Sequence, residues 1–239
     1  MPIDPAIQVR GLTRRYAGRA VVDSLDLQMA AGAVTALLGP NGAGKTTTIE
    51  ICCGLRRADE GSVQVLGLDP VRDGAALRPR LGVMLQEGGV YSGANAPEML
   101  HHVASLHAHP LDPDALITRL GLGDAGRTTY RRLSGGQKQL LALGLAIVGR
   151  PELVFLDEPT AGLDPHARHA TWGLIAELRA AGVTVVLATH LMDEAERLAD
   201  QVAIIDRGRC VAAGSPAELT GGSRRLEDVF FELTTPAQR

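Results

Sequence analysis

One glycine-rich segment has the residue types and spacing of a phosphate-binding loop. Residues 39–46 read Gly-Pro-Asn-Gly-Ala-Gly-Lys-Thr, with an apolar run before them and a helical pattern after them. Glycines let successive backbone N–H groups turn toward one anion, and a helix start adds a positive dipole end. Lys45 would bring a mobile charge to the β and γ phosphates of a nucleotide, and the Thr46 hydroxyl could bind Mg²⁺. A turn that binds nothing is the alternative, which the strand–loop–helix context disfavours.

Two carboxylates follow a second apolar run. Residues 153–156 are wholly apolar and lead directly into Asp157 and Glu158. In an open α/β sheet, ligands bind at the carboxyl ends of the strands. Asp157 would therefore hold the Mg²⁺ shell, and Glu158 would orient or deprotonate an attacking water. The alternative is that the acids merely end the strand in solvent, which is common for a single acidic residue. A pair of acids in a chain with a phosphate loop favours a catalytic and metal-binding role.

A third motif, Leu-Ser-Gly-Gly-Gln at residues 133–137, precedes an apolar-rich helical stretch. Ser134 is a good N-cap residue, and two glycines leave the N–H groups of a helix start open to an anion. If the motif were only a helix cap, the serine alone would be sufficient. The glycine pair with Gln137 therefore predicts a second phosphate-binding surface.

The pattern of apolar residues predicts an α/β fold that would position these motifs. Residues 25–29 alternate between apolar and polar, whereas residues 33–38, 153–156 and 183–188 are apolar runs typical of strands covered on both faces. A helix that ends before Gly182 separates the last two runs, which predicts a right-handed crossover and a parallel sheet. Residues from about 87 to 150 contain helical patterns and many breakers, and predict a helical insertion.

Composition limits the function classes. The chain has 239 residues, 45% of them hydrophobic, and a formal net charge of −3, which excludes disorder and argues against a nucleic-acid partner. The longest apolar stretch, residues 140–148, is far shorter than a bilayer span, and the N-terminus does not resemble a signal peptide. The three cysteines have neither disulfide nor zinc spacing, and are expected to be buried in a reducing cytosol. Only Lys45 and Lys138 are lysines among 24 basic residues.

The three motifs, in this order and spacing, resemble the ATP-binding cassette (ABC) ATPase family over about residues 7–208. The resemblance implies a P-loop NTPase (RecA-like) core with a parallel sheet, an N-terminal antiparallel β-subdomain and an inserted helical signature subdomain. It predicts one nucleotide-binding domain over residues 1–215, with its core in 1–86 and 151–215, the helical subdomain at about 87–150, and a short tail at 216–239.

The resemblance also implies a role for residues outside the three motifs. Tyr16 would stack on adenine, Gln86 would touch Mg²⁺ and the water, and His190 would contact the γ-phosphate. Asp164 belongs to a loop that would cross a dimer interface. The implied catalytic residues are Glu158, His190 and Gln86, and the implied metal ligands are Thr46, Gln86 and Asp157. The implied ATP-binding residues are Tyr16, Gly39, Pro40, Asn41, Gly42, Ala43, Gly44, Lys45, Thr46, Thr47, Ser134, Gly135, Gly136, Gln137 and Asp164.

The same resemblance implies partners. In this family the signature of one cassette completes the ATP site of another, which implies a homodimer or a heterodimer, and a separate integral-membrane permease on whose cytoplasmic side the chain would act. Residues 86–91 and 226–230 resemble the exporter branch with ABC-2-type permeases, which implies export of drugs, lipids or polysaccharide. An amphipathic helix packed on the core is an alternative interpretation of 226–230. An importer cassette and an iron–sulfur assembly ATPase remain as alternative functions.

Two features of the sequence stand apart from the family pattern. Leu140 occupies a position after the signature where cassettes usually carry arginine. Histidines 101, 102, 107 and 109 lie close together in sequence, but no pair has the i, i+4 spacing that shares a helical face, so metal binding there is disfavoured.

Overall fold

The computed structural model describes residues 5–86 and 90–234, whose strands form two sheets. The first is antiparallel, with the order β2 (Arg19–Met29), β1 (Ile7–Tyr16), β4 (Glu60–Val65). Leu25, Leu27 and Met29 are buried while the residues between them are exposed, so the alternation predicted for this strand is confirmed. This sheet is the antiparallel β-subdomain that the resemblance implied.

The second sheet carries the predicted buried strands at its centre. Five of its strands are parallel, and the last one pairs antiparallel with its neighbour. The three central strands are buried along their whole length, as the apolar runs predicted. The order is β5 (Leu81–Met84), β6 (Leu153–Asp157), β7 (Thr184–Thr189), β3 (Val34–Leu38), β8 (Gln201–Asp206), β9 (Arg209–Gly214).

Helices connect the parallel strands and cover the sheet, which confirms the α/β fold class. The helix α1 (Lys45–Cys52) follows β3, and α6 (Pro165–Ala180) joins β6 to the parallel β7. The short helices α2 (Gly74–Leu77) and α7 (Met192–Leu198) precede β5 and β8. Within the described residues no helix is both long and apolar enough to cross a bilayer.

Three further helices lie between β5 and β6 in the chain, as the helical pattern of this region predicted. They are α3 (Ala96–Ala104), α4 (Pro113–Arg119) and α5 (Gly135–Ile147). Leu100 of α3 and Leu141 of α5 belong to the same apolar cluster as Leu156 and Leu187 of the sheet. A Cβ on Gly82 would lie 2.1 Å from the Ala146 carbonyl oxygen, so β5 and α5 meet backbone to backbone.

The C-terminal region packs on the same domain. It contains α8 (Pro216–Thr220) and α9 (Leu226–Thr234). Leu226, Val229 and Phe230 are buried in an apolar cluster with Ala195 and Ile204, so the interpretation of residues 226–230 as a packed amphipathic helix is confirmed. Elsewhere, the Cys52 and Cys53 side chains are buried in the core as expected, whereas Cys210 is only half-buried.

Candidate functional site

The phosphate-loop residues and the paired carboxylates line one cavity. It has a volume of about 230 Å³ and lies where β3 passes into α1, at the carboxyl ends of β5 and β6. Separate motifs from the sequence therefore meet at the sheet edge where ligands of such folds bind. The lining residues are Val21, Asn41, Gly42, Ala43, Gly44, Lys45, Thr46, Thr47, Gln86, Asp157 and Glu158.

The loop conformation requires glycine at defined positions. Gly44, which precedes the first residue of α1, has φ of 106°, a left-handed value that residues with a side chain rarely adopt. A Cβ on Gly44 would lie 2.6 Å from the Val21 carbonyl oxygen, and one on Gly39 would lie 2.4 Å from that of Ile205. The loop is thus a closely packed backbone turn that opens onto a cavity at a helix start, which fits a polyphosphate.

Lys45 is held inside this loop. Only 6% of the residue is exposed, and its Nζ donates hydrogen bonds to the carbonyl oxygens of Gly39 at 2.6 Å and Pro40 at 3.3 Å. Burial lowers the pKa of the Lys45 ammonium, while the charges of Glu158 and Asp157 oppose that shift. The expected mobile charge is therefore bound to the loop's own carbonyl groups in this structure.

A hydroxyl and a carboxylate face each other beside the lysine. The Thr46 Oγ1 donates a hydrogen bond of 2.6 Å to Asp157 Oδ2 at the end of β6. Burial raises the pKa of the Asp157 carboxyl above its ordinary value, and the hydrogen bond from Thr46 opposes this shift. These are hard oxygen ligands of the type that Mg²⁺ prefers, and the exposed Gln86 lines the same cavity. The donor set fits the predicted metal.

Glu158 lies at the end of β6 with a buried and incompletely satisfied carboxylate. Its residue is 5% exposed, and its Oε2 lies 2.8 Å from Nδ1 of His190, whose side chain is 52% exposed. This close approach lacks hydrogen-bond geometry, so Oε2 is a buried acceptor with no hydrogen bond among the described residues. The structure thus brings together the predicted base and the predicted switch histidine, although His190 itself lines a neighbouring cavity with Gly39 and Pro40.

The signature motif begins α5 with a complete cap. Ser134 Oγ accepts a hydrogen bond of 3.2 Å from the Gln137 N–H, and Gln137 Oε1 accepts one of 3.0 Å from the Ser134 N–H. Gln137, which the sequence analysis assigned to a phosphate-binding surface, therefore also has a structural role, because it completes a capping box. The capping box explains Ser134 and Gln137, but it does not require glycine at positions 135 and 136. None of these residues lines the cavity of the phosphate loop.

Gly39 and Pro40 also do not line this cavity, and neither do two predicted ATP contacts from other segments, Asp164 and Tyr16. Asp164 is the N-cap of α6, where its Oδ1 accepts hydrogen bonds from the backbone N–H groups of Ala167 at 3.0 Å and His166 at 2.9 Å. These bonds lower the pKa of the Asp164 carboxyl. Tyr16 ends β1, with the guanidinium carbon of Arg14 4.9 Å from the centre of its ring. Asp164 and Tyr16 therefore both have contacts within the chain that do not involve a nucleotide.

A buried polar network near the site was missed by the sequence analysis. Glu194 of α7 is fully buried, and its Oε1 accepts hydrogen bonds from Thr160 Oγ1 at 2.9 Å and from Trp172 Nε1 at 3.1 Å. Through Thr160, Glu194 links the loop after Glu158 to α7, the helix that follows His190. Acidic residues on a short helix usually face solvent, so nothing in the local pattern distinguished Glu194.

The remaining predicted features have simple outcomes. Leu140 is half-buried and lines a cavity of about 380 Å³ with Leu120 and Leu174, so leucine fits the apolar surroundings at this position. His101 Nε2 lies 3.0 Å from Asp114 Oδ1, and the described part of the chain contains no cluster of three or more metal-ligating side chains. Residues 87–89 of the first exporter-like stretch lie outside the described residues.

The fold and the site together define an ATP-binding cassette. The chain belongs to the ABC transporter family, whose sequence model matches residues 22–161. A relative from Streptomyces coeruleorubidus, the daunorubicin resistance ATP-binding protein DrrA3, is 41% identical over 92% of this chain and 72% of its own length. The daunorubicin/doxorubicin resistance ATP-binding protein DrrA of Streptomyces peucetius is 41% identical over 90% of this chain and 66% of its own.

Further comparisons agree with this assignment. The Nod factor export ATP-binding protein I of Sinorhizobium fredii is 39% identical over 90% of this chain and 64% of its own length. The chain thus spans between 64% and 72% of the length of these three relatives. A solved ATP-binding subunit of an ABC transporter superposes with a TM-score of 0.86 at 26% identity, covering 95% of this chain and 99% of that one.

Proposed function

We propose that this chain binds and hydrolyses ATP as one subunit of an ABC transporter and drives a separate membrane permease that exports its substrate. The placement of Glu158 carries the proposal of hydrolysis, because a buried carboxylate oxygen without a hydrogen bond lies beside His190 at the edge of the phosphate-loop cavity. The drug-resistance and export names of the relatives support the direction of transport. A drug such as daunorubicin or a molecule such as Nod factor is the kind of substrate that those names favour.

Five side chains of the cavity have a defined task in this proposal. Lys45 exchanges its bonds to the Gly39 and Pro40 carbonyl groups for bonds to the β and γ phosphates of ATP. Thr46, Asp157 and Gln86 hold Mg²⁺, which when bound neutralises charge on the phosphates. Glu158 takes a proton from the attacking water at its free oxygen.

A second cassette would complete the site. Ser134 and the glycines after it lie at the start of α5, and Asp164 lies at the start of α6, both outside the cavity of the phosphate loop. We infer that these residues act on the ATP bound by a partner cassette in a head-to-tail dimer. The permease would hold that dimer at the cytoplasmic face of the membrane.

Mixing two inactive variants tests the shared site. Ser134→Arg should block the approach of a γ-phosphate sterically, and Lys45→Ala should remove the lysine contacts to the β and γ phosphates at its own loop. A mixed dimer retains one composite site, built from Lys45 of the first variant and Ser134 of the second. We expect an equal mixture to recover about a quarter of wild-type ATPase activity if one intact site suffices, because random exchange makes about half of the dimers mixed and each mixed dimer keeps one of its two sites.

The controls for this mixture are the two variants measured alone and the size of the mixed species. Gel filtration with one variant labelled shows whether mixed dimers form. A mixture that forms mixed dimers and stays as inactive as its parents would contradict the composite site.

A vesicle experiment tests the direction and the partner. If the open reading frame beside the gene encodes a six-span membrane protein, the chain is co-expressed with that protein, and ATP-dependent accumulation of daunorubicin is followed by fluorescence in inside-out vesicles. We expect accumulation that requires both proteins and disappears with Glu158→Gln. Accumulation only in right-side-out vesicles would favour the importer, and failure to bind any membrane protein would favour an iron–sulfur assembly ATPase.

A further inference from the structure

A side chain of the signature helix contacts the backbone of the proposed catalytic residue in the same chain. The Gln139 Nε2 donates a hydrogen bond of 2.5 Å to the carbonyl oxygen of Glu158. Gln139 is half-buried in the first turns of α5, two residues after Gln137, which completes the helix cap. This contact joins the helical region to the end of β6 at the residue whose side chain faces the cavity.

The backbone of Glu158 needs such support. Its φ is 54°, in the left-handed region that residues with a side chain rarely occupy unless their surroundings fix them. The Glu158 N–H donates to the Ala188 carbonyl oxygen of β7 at 2.8 Å, and the Ala161 N–H donates to the Glu158 carbonyl oxygen at 3.2 Å. Gln139 adds the contact that comes from the helical region.

We propose that Gln139 is a positioning residue that holds the Glu158 carboxylate in place for ATP hydrolysis, an inference that rests on the proposed function. The carbonyl group and the side chain of Glu158 share one Cα, so release of the carbonyl lets the carboxylate move away from His190. The helix that carries Gln139 is itself fixed, since α5 meets β5 backbone to backbone at Gly82. Among the described residues, the Gln139 side chain forms no hydrogen bond to the phosphate loop, and Gln139 does not line the cavity.

Two substitutions remove the contact in different ways. Gln139→Glu keeps the size of the side chain but replaces the donor with a carboxylate oxygen that repels the carbonyl group, and Gln139→Ala removes the donor. We expect kcat for ATP to fall about tenfold in the first variant and about fivefold in the second, with KM changed less than about twofold. Gln64→Glu, which makes the same change on exposed β4, should leave both constants unchanged.

A double variant separates positioning from general damage to the fold. In a Glu158→Gln background, Gln139→Glu has no catalytic carboxylate to misplace, so we expect less than about a twofold further loss of single-turnover rate. Another tenfold loss in that background would show that Gln139 acts elsewhere and would overturn the proposal. Equal kcat values for wild type and both single variants would overturn it as well.

Hydrogen exchange gives a measurement that does not depend on activity. We expect faster exchange of the Ala161 amide, which donates to the Glu158 carbonyl group, in both Gln139 variants, and unchanged exchange across α1. Unchanged exchange at Ala161 would overturn the proposal whether or not the chain hydrolyses ATP. A wild-type chain that hydrolyses no ATP but loses Ala161 protection on substitution would refute the proposed function and leave the contact with Glu158 established.

Discussion

Glu158→Gln is expected to lower steady-state ATP turnover by about two orders of magnitude, the size of a lost general base. The substitution preserves the size of the side chain and its position at the end of β6, but an amide cannot accept the proton of the attacking water. ATP should therefore bind and persist, and the variant should accumulate as an ATP-bound dimer. Turnover by a coupled phosphate assay and gel filtration with and without ATP measure the two effects.

Glu152→Gln is the matched control for this substitution. Glu152 lies just before the same strand and forms an exposed ion pair with Arg80, whose Nε donates to it at 2.7 Å. Its loss should change turnover less than about twofold, because exposed ion pairs contribute little. Unchanged turnover in Glu158→Gln would refute the assignment of this carboxylate as the base.

Lys45→Ala is expected to leave a folded chain that binds ATP at least about a hundredfold more weakly and hydrolyses almost none. The loop backbone remains, but the charge toward the β and γ phosphates is lost and no other lysine lies nearby. The hydrogen bonds from Nζ to Gly39 and Pro40 are lost too, so circular dichroism must show an intact fold. Calorimetric titration with ATP measures the affinity.

The second lysine of the chain provides the control. Lys138→Ala removes an ammonium group of the same kind, which in the structure lies 5.4 Å from the centre of the Tyr130 ring. This variant should bind ATP with wild-type affinity. Wild-type affinity in Lys45→Ala would instead mean that the loop backbone alone binds the nucleotide.

The sequence predicts the elements of this fold best where burial is complete. The strands β3, β6 and β7 are covered on both faces, so most of their positions are apolar and the run itself is diagnostic. Their carboxyl ends then bring Lys45 and Asp157 together without further information, because parallel strands end at one edge of the sheet. The paired acids and the phosphate loop were placed correctly for this reason.

What the sequence does not reveal are contacts between distant segments. Gln139 and Glu194 are polar residues whose partners, the Glu158 carbonyl group and Thr160, lie 19 and 34 residues away. No periodicity encodes such pairs. The role of Gln137 was different, since the serine–x–x–glutamine spacing of a capping box is local and could have been recognised.

The hydrogen bond between Trp172 and Glu194 has a practical consequence for spectroscopy. Trp172 is the single tryptophan of the chain, so all indole emission originates beside the loop after Glu158 and the helix after His190. The edge of its ring meets the His169 imidazole at a centroid distance of 5.0 Å, and the Arg197 guanidinium carbon lies 5.2 Å from its centre. The chain therefore carries a native fluorophore at this junction, where stopped-flow recordings can follow a rearrangement without any attached dye.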